Sequence, residues 1–168
     1  KAKLNNVTIS NVYAEVPAGK PDAGYEYEGP VEALPRNISP ASITGLPGQY
    51  VTNVTLKNIT IVYPGGGNPN YAKVGTDAKS LNAIPEMPKA YPEFSQFKEL
   101  PAWGFYIRHA KDIAFDNVKF IAKNRDYRPA IVTDDVKGLS LADVTFEEPG
   151  AKKKQIHTYQ TTNIQINK

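Results

Sequence analysis

The stretch Ile113-Ala114-Phe115-Asp116-Asn117-Val118 returns further along the chain as Leu139-Ser140-Leu141-Ala142-Asp143-Val144. Both read apolar, any, apolar, any, Asn or Asp, apolar. Alternation with period two marks a strand whose side chains face two sides in turn. The pattern occurs twice upstream, in Val7-Thr8-Ile9-Ser10-Asn11-Val12 and Val54-Thr55-Leu56-Lys57-Asn58-Ile59. A partial copy, Ile164-Gln165-Ile166-Asn167, closes the chain. The step from Leu139 to Ile164 matches the step from Ile113 to Leu139 to within one position. A second apolar element precedes each of the last three copies. Phe105-Tyr106-Ile107, Ile131-Val132 and Ile156 stand eight residues before Ile113, Leu139 and Ile164. Ile43 marks the same element before Val54, at a slightly longer interval, with Pro47-Gly48 inserted.

A repeat of about 25 residues made of short strands, with no helix and no disulfide, is the signature of a solenoid. Leucine-rich repeats share the length, but their leucine spacing is missing. Val, Ile and Phe dominate instead. The expectation is an all-β parallel β-helix of about five coils, in which Val54 and Leu56 stack on Ile113 and Phe115, then on Leu139 and Leu141. The Asn/Asp position has a mechanism. A sharp bend between strands needs the left-handed backbone that asparagine tolerates, and its amide can bond its equivalent in the next coil. Asn11, Asn58, Asn117 and Asp143 are the candidates for this turn ladder. Asn6, Asn37, Asn53 and Asn58 also match the glycosylation acceptor pattern, as a by-product of the repeat.

Two insertions break the period. Asn11 to Asn58 and Asn58 to Asn117 are each separated by far more than one repeat. The excess falls at about 17–40 and 64–102, in loops long enough to be functional or capping. Residues 1–168 are thus expected to form one β-helix domain. The chain opens directly on a repeat, without export signal or initiator methionine. It is therefore expected to be the C-terminal part of a larger solenoid. Its first coil would then expose core and strand edges, which predicts self-association or packing against the preceding coils.

Composition removes several classes of function. There is no cysteine, so thiolate metal sites, disulfides and cysteine nucleophiles are excluded. His109 and His157 are the only histidines, too few for a histidine-rich metal centre. The net charge of +3 gives no argument for nucleic acid. No apolar run approaches the roughly 20 residues that cross a bilayer. No cofactor is expected.

Three stretches, Glu15-Val16-Pro17-Ala18-Gly19-Lys20-Pro21-Asp22-Ala23-Gly24-Tyr25, Tyr63-Pro64-Gly65-Gly66-Gly67-Asn68-Pro69 and Leu100-Pro101-Ala102-Trp103-Gly104-Phe105-Tyr106-Ile107-Arg108-His109, carry a resemblance. They resemble the C-terminal part of bacterial, Bacteroidetes-type proteins of glycoside hydrolase family 28, the polygalacturonase-like enzymes. The resemblance implies a right-handed parallel β-helix, a secreted or periplasmic location and hydrolysis of galacturonic-acid linkages in pectin. The partner would be an acidic plant polysaccharide, bound through the parent protein. The family's catalytic motifs are Asn-Thr-Asp, Gly-Asp-Asp, Gly-His-Gly and Arg-x-Lys, and none occurs here. Catalytic residues are therefore expected to be absent from this chain. The rival expectation is a non-catalytic carbohydrate-binding or structural β-helix module.

Asp134-Asp135 is an adjacent carboxylate pair and a candidate for chemistry. Neighbours on a strand point to opposite faces, so the pair reads as solvated or turn-forming rather than as an acid–base couple. Trp103 and Tyr106 are candidate sugar-stacking platforms in an aromatic cluster with Tyr91, Phe94, Phe97 and Phe105. Pro92 and Glu93 would open a short helix whose stripe, Tyr91, Phe94, Phe97 and Leu100, lies on the solenoid wall. Arg108 and His109 are candidate cations for a carboxylate-rich polymer, since arginine grips a carboxylate through two parallel bonds. A structural ion pair is the simpler reading of Arg108, and a surface or capping role that of His109. Tyr25 and Tyr27, alternating with Glu26 and Glu28, read as an edge strand or a lip of the substrate groove. Lys152-Lys153-Lys154 reads as a solvated corner.

Overall fold

The computed structural model describes residues 3–18, 37–70, 73–89, 99–150 and 152–167. They are built mainly of six strands: β1 (Asn5–Glu15), β2 (Ala41–Thr44), β3 (Val51–Gly65), β4 (Phe105–Asn124), β5 (Ile131–Glu147) and β6 (Ile156–Asn167). A single-turn helix, α1 (Ala78–Asn82), lies between β3 and β4. All pairings of these strands are parallel, in the order β1-β3-β4-β5-β6, with β2 on the first part of β4. The fold is all-β.

The register follows the repeat. Val7, Val54, Ile113, Leu139 and Ile164 form one cross-strand column; Ile9, Leu56, Phe115, Leu141 and Ile166 form the next. The short second elements fall into register too, with Ile43 beside Ile107, Ile107 beside Thr133, and Ile131 beside Ile156. In β4 and β5 the two elements expected from the sequence are halves of one long, bent strand.

The bends explain how. Asn11, Asn58, Asn117 and Asp143 all have positive φ, between 51° and 58°. The Asn58 amide donates to Asn11 Oδ1 at 3.1 Å, and that of Asn117 to Asn58 Oδ1 at 3.0 Å. A left-handed residue shifts the alternation by one. Val54 and Leu56 point inward, and after Asn58 the next inward residue is Ile59; Ile113, Phe115 and Val118 repeat this around Asn117. The sequence reading missed two further columns. Asn6, Asn53, Asp112, Gly138 and Asn163 form one, and His109, Asp135 and Gln160 the other, all with positive φ. In the first, Asn53 donates its amide to Asn6. Three of the four acceptor-pattern asparagines thus serve as bends.

The main core lies along one side of this sheet and is aromatic at its centre. Phe105 meets Phe115 edge-on at 5.2 Å, and Phe120 stacks on Phe146 of the next strand at 5.7 Å. Full burial of a side chain such as Phe115 or Phe120 contributes about 1.5–3 kcal/mol. Trp103 closes the core edge-on to Tyr63 and Phe120. The Tyr63 hydroxyl donates to Gly104 O at 2.6 Å, and burial raises its pKa well above the usual phenol value. At the outer strands the apolar columns emerge: Leu4, Ile9 and Val12 are exposed at β1, and Ile164 and Ile166 at β6.

A second, smaller core forms on the other side. Leu81 and Ile84 pack with Leu100, Ala102, Tyr106 and Val132. Tyr106 and Val132 are neighbours in register and alternate with the inward Phe105 and Ile131, so they face the opposite way. The second insertion covers that outer face. Helix α1 begins where Asp77 accepts from Ser80 N at 3.0 Å and Ser80 Oγ at 2.6 Å; these bonds hold its carboxyl below the usual range. The expected helix at 92–98 lies outside the described residues.

Candidate functional site

Parallel register brings Arg108 of β4 beside Asp134 of β5, and places His109 opposite Asp135 one residue on. Arg108 and Asp134 continue the outer face of Tyr106 and Val132. His109 and Asp135 both sit on left-handed bends, with φ of 48° and 52°. The bend turns a run whose side chains would alternate into one that presents both members of each pair on the same side. The expectation that Asp134 and Asp135 are solvated fails for Asp134, which is 2% exposed. The turn-forming role holds for Asp135.

The second insertion supplies a third acid. Glu86 Oε1 lies 2.8 Å from Arg108 Nη2 and 3.0 Å from His109 Nε2. Arg108 Nη1 donates to Ile84 O at 2.9 Å, and Arg108 Nε lies 3.0 Å from Asp134 Oδ2. That last contact is Coulombic, because neither atom has an aligned hydrogen-bond partner. His109 Nδ1 lies 2.8 Å from Asp135 Oδ2. The Tyr50 hydroxyl donates to the same carboxylate at 2.8 and 3.0 Å, and Lys137 Nζ sits 4.5 Å above the Tyr50 ring. Tyr50 is held there by the turn at 46–49. Gly45 makes that turn possible, since a Cβ at this position would stand 2.3 Å from His109 O.

The two aspartates are driven in opposite directions. Burial raises the Asp134 carboxyl above the ordinary range, and the charges of Arg108 and His109 offset only part of this. Burial acts on Asp135 too, but hydrogen bonds from His109 and Tyr50 outweigh it and hold that carboxyl low. Asp135 is therefore the ionised acceptor, and Nδ1 of His109 carries the proton between them. The contact from Nε2 to Glu86 then needs one more proton, on the ring or on Glu86, because an ionised carboxylate only accepts. The Tyr106 hydroxyl lies among Arg108, Asp134 and Glu86 without an aligned partner. Its pKa is raised by burial first, with Arg108 opposing and the two acids reinforcing.

Of the sequence-derived candidates, Arg108 and His109 come together here, at 8% and 7% exposure. The surface position for His109 is thereby corrected: the ring is enclosed by Glu86, Asp135 and the edge of Tyr50. Trp103 and Tyr106 are 1% and 0% exposed, so neither ring offers a face to a sugar. Their burial in the two cores is what the stacking expectation overlooked. Tyr25 and Tyr27 lie outside the described residues. Glu86, Tyr50 and Lys137 were not foreseen. The signal for Asp134 and Asp135 was available: they follow Arg108 and His109 by the same interval that separates Ile113 from Leu139.

A second ionic arrangement lies at the far end of β4. Arg128 donates Nε to Asp126 Oδ1 and Nη2 to Asp126 Oδ2, each at 3.0 Å, with Asp126 1% and Arg128 2% exposed. Arg128 also reaches Ile38 O and Leu100 O, while Gly67 N donates to Asp126. Burial would raise the Asp126 carboxyl, but the bonds and charge of Arg128 prevail and hold it low. Lys153 bonds Asp126 O and pairs with Glu148 at 2.6 Å, so this lysine is no solvated corner.

An open groove of about 590 Å³ runs over the Asn58–Asn117–Asp143 column and the flanking Thr60, Lys119 and Thr145. Lys119 is paired with Glu147. Among the described residues no group of three His, Cys, Asp or Glu side chains is arranged to hold a metal ion. Among them, too, no helix is long and apolar enough to cross a membrane. Comparison of the chain with protein families, curated proteins and solved structures gives no match.

Proposed function

We propose that the chain winds as a right-handed parallel β-helix and forms the C-terminal, non-catalytic part of an exported, secreted or periplasmic, pectin-degrading glycoside hydrolase. The observation that supports the winding is the in-register repetition of three left-handed bend columns, each of which crosses both β4 and β5. Regular bends at fixed places give every coil the same outline, which is what stacking requires. The link to pectin rests on the loop resemblance described above.

The non-catalytic assignment is supported by how the carboxylates are used. Inverting glycosidases need two carboxyl groups about 6.5–9.5 Å apart, with a water and a sugar between them. Asp134 is buried against Arg108, Asp135 is taken by His109 and Tyr50, and Asp126 is closed in by Arg128. The chain would supply solenoid length, and its exposed apolar columns at β1 would be covered by the preceding coils or by a second copy. A carbohydrate-binding or structural module is the second reading. The open polar groove along the asparagine column favours it, since threonines and amides suit sugar hydroxyls.

A reducing-end assay on polygalacturonate separates these readings. No turnover from the 168 residues is expected, and turnover would overturn the non-catalytic assignment. Light scattering tests the association: assemblies larger than one chain are expected, and a monodisperse monomer would refute them.

A further inference from the structure

We infer that Arg108 and His109 form an exchangeable carboxylate site, occupied at rest by the Glu86 side chain, whose external ligand is the carboxylate of an acidic saccharide. Three acids surround the two basic groups, and they are not equivalent. Asp134 and Asp135 are built into β5, locked beside their partners by strand register. Glu86 is carried on the second insertion and comes from the solvent side. Its side chain is 31% exposed, whereas those of Arg108 and His109 are each 9% exposed.

Taking Glu86 away leaves the basic pair in place. Arg108 keeps Asp134 and Ile84 O, and His109 keeps Asp135. The groups freed are the Arg108 Nη2 donor and the His109 Nε2 atom, both now facing Glu86 Oε1. The fully buried Tyr106 hydroxyl lies in the same corner, within the fields of Arg108, Asp134 and Glu86. The backbone need not move, because Leu81 and Ile84 anchor the insertion through their own core. A swing of one side chain opens the site. Exchanging one carboxylate for another also leaves the local charge unchanged, so the buried Asp134 and Arg108 are never left unbalanced.

The site rests on this geometry alone; the choice of a saccharide rests on the pectin reading above. The test uses the full chain, its Glu86→Ala variant and the double variant Glu86→Ala/His109→Asn. Asparagine is chosen because it tolerates the left-handed bend at that position. Titration calorimetry with trigalacturonate is expected to show at least tenfold tighter binding to Glu86→Ala than to the unaltered chain, with a raised Tm on saturation. The double variant is expected to lose that gain, and the methyl-esterified trisaccharide is expected not to bind. Equal affinity for the unaltered chain and Glu86→Ala would overturn the site, even if pectin fragments bound elsewhere and the wider reading stood. A rise in Tm with acetate but not with trigalacturonate would overturn the saccharide as ligand.

Discussion

Asp126 with Arg128, and Glu86 with Arg108 and His109, are both ion arrangements on the β4–β5 pair, and they differ in one respect. The first is sealed: both side chains are almost wholly buried, and the guanidinium also reaches Ile38 and Leu100 carbonyls. The second has one member reaching in from solvent. A sealed pair fastens the chain segments that converge on it, because breaking it strands a charge in low dielectric. A pair with one accessible member can trade that member without stranding anything. Similar residue types thus support opposite roles, and accessibility of a single carboxylate decides between them.

The largest effect should come from breaking the sealed pair. Asp126→Ala leaves Arg128 buried and uncompensated, and should cost about 3–5 kcal/mol, read from urea denaturation. A cost within the range of an exposed pair would erase the contrast drawn here. Next, Asn58→Ala forces an ordinary residue into the left-handed bend and removes two amide contacts of the ladder. A loss of roughly 1–2 kcal/mol is expected from the backbone alone, with Asn58→Gly milder. Thermal unfolding of the two variants side by side would check it. The smallest effect belongs to Glu86→Ala, which should cost about 1 kcal/mol or less, because a partly exposed pair is screened and gains little. A cost of several kcal/mol would show that Glu86 is a fixed structural member.

Acidity sharpens the same comparison. Asp126 is held low in the folded chain, so its contribution is fully present above the ordinary carboxylate range and fades as pH falls through its folded value. Asp134 is held high, so its folded form gains protons before its unfolded form, and that contribution grows as pH falls from its folded value toward the ordinary range. Asp126→Asn should therefore flatten the acid limb of a stability–pH curve. Asp134→Asn should remove an opposing slope that lies at higher pH. Identical curves for the two variants would contradict the burial argument.

The strand columns were legible in the sequence because a parallel stack repeats its chemistry at a fixed interval. Val54, Ile113 and Leu139 announced their register, and Asn58 and Asn117 their bend. The columns through His109 and Asp112 were hidden because each mixes residue types: His, Asp and Gln in one, Asn, Asp and Gly in the other. Only the shared backbone state unites them. The ionic site was half legible. Arg108 and His109 stand out by residue type, but strand alternation sets Asp134 and Asp135 on opposite faces, and the bend suspends that rule. Glu86 could not be placed, since it belongs to an insertion without period and reaches the wall only because Leu81 and Ile84 dock beside it. Trp103 and Tyr106 misled for a simple reason: an aromatic that lines a core and one that faces a sugar look alike in one dimension.

The left-handed positions in β4 are His109, Asp112 and Asn117, and those in β5 are Asp135, Gly138 and Asp143. The gaps are three and five residues in both strands. Between these positions the chain has no slack, for a single added or deleted residue would turn every following side chain inside out. Change of length is tolerable only outside the strands, as in the two large insertions, or as a whole period. A tandem duplication of one such period at the level of the gene would leave every neighbour's environment intact. The architecture thus favours growth by copying over growth by small increments.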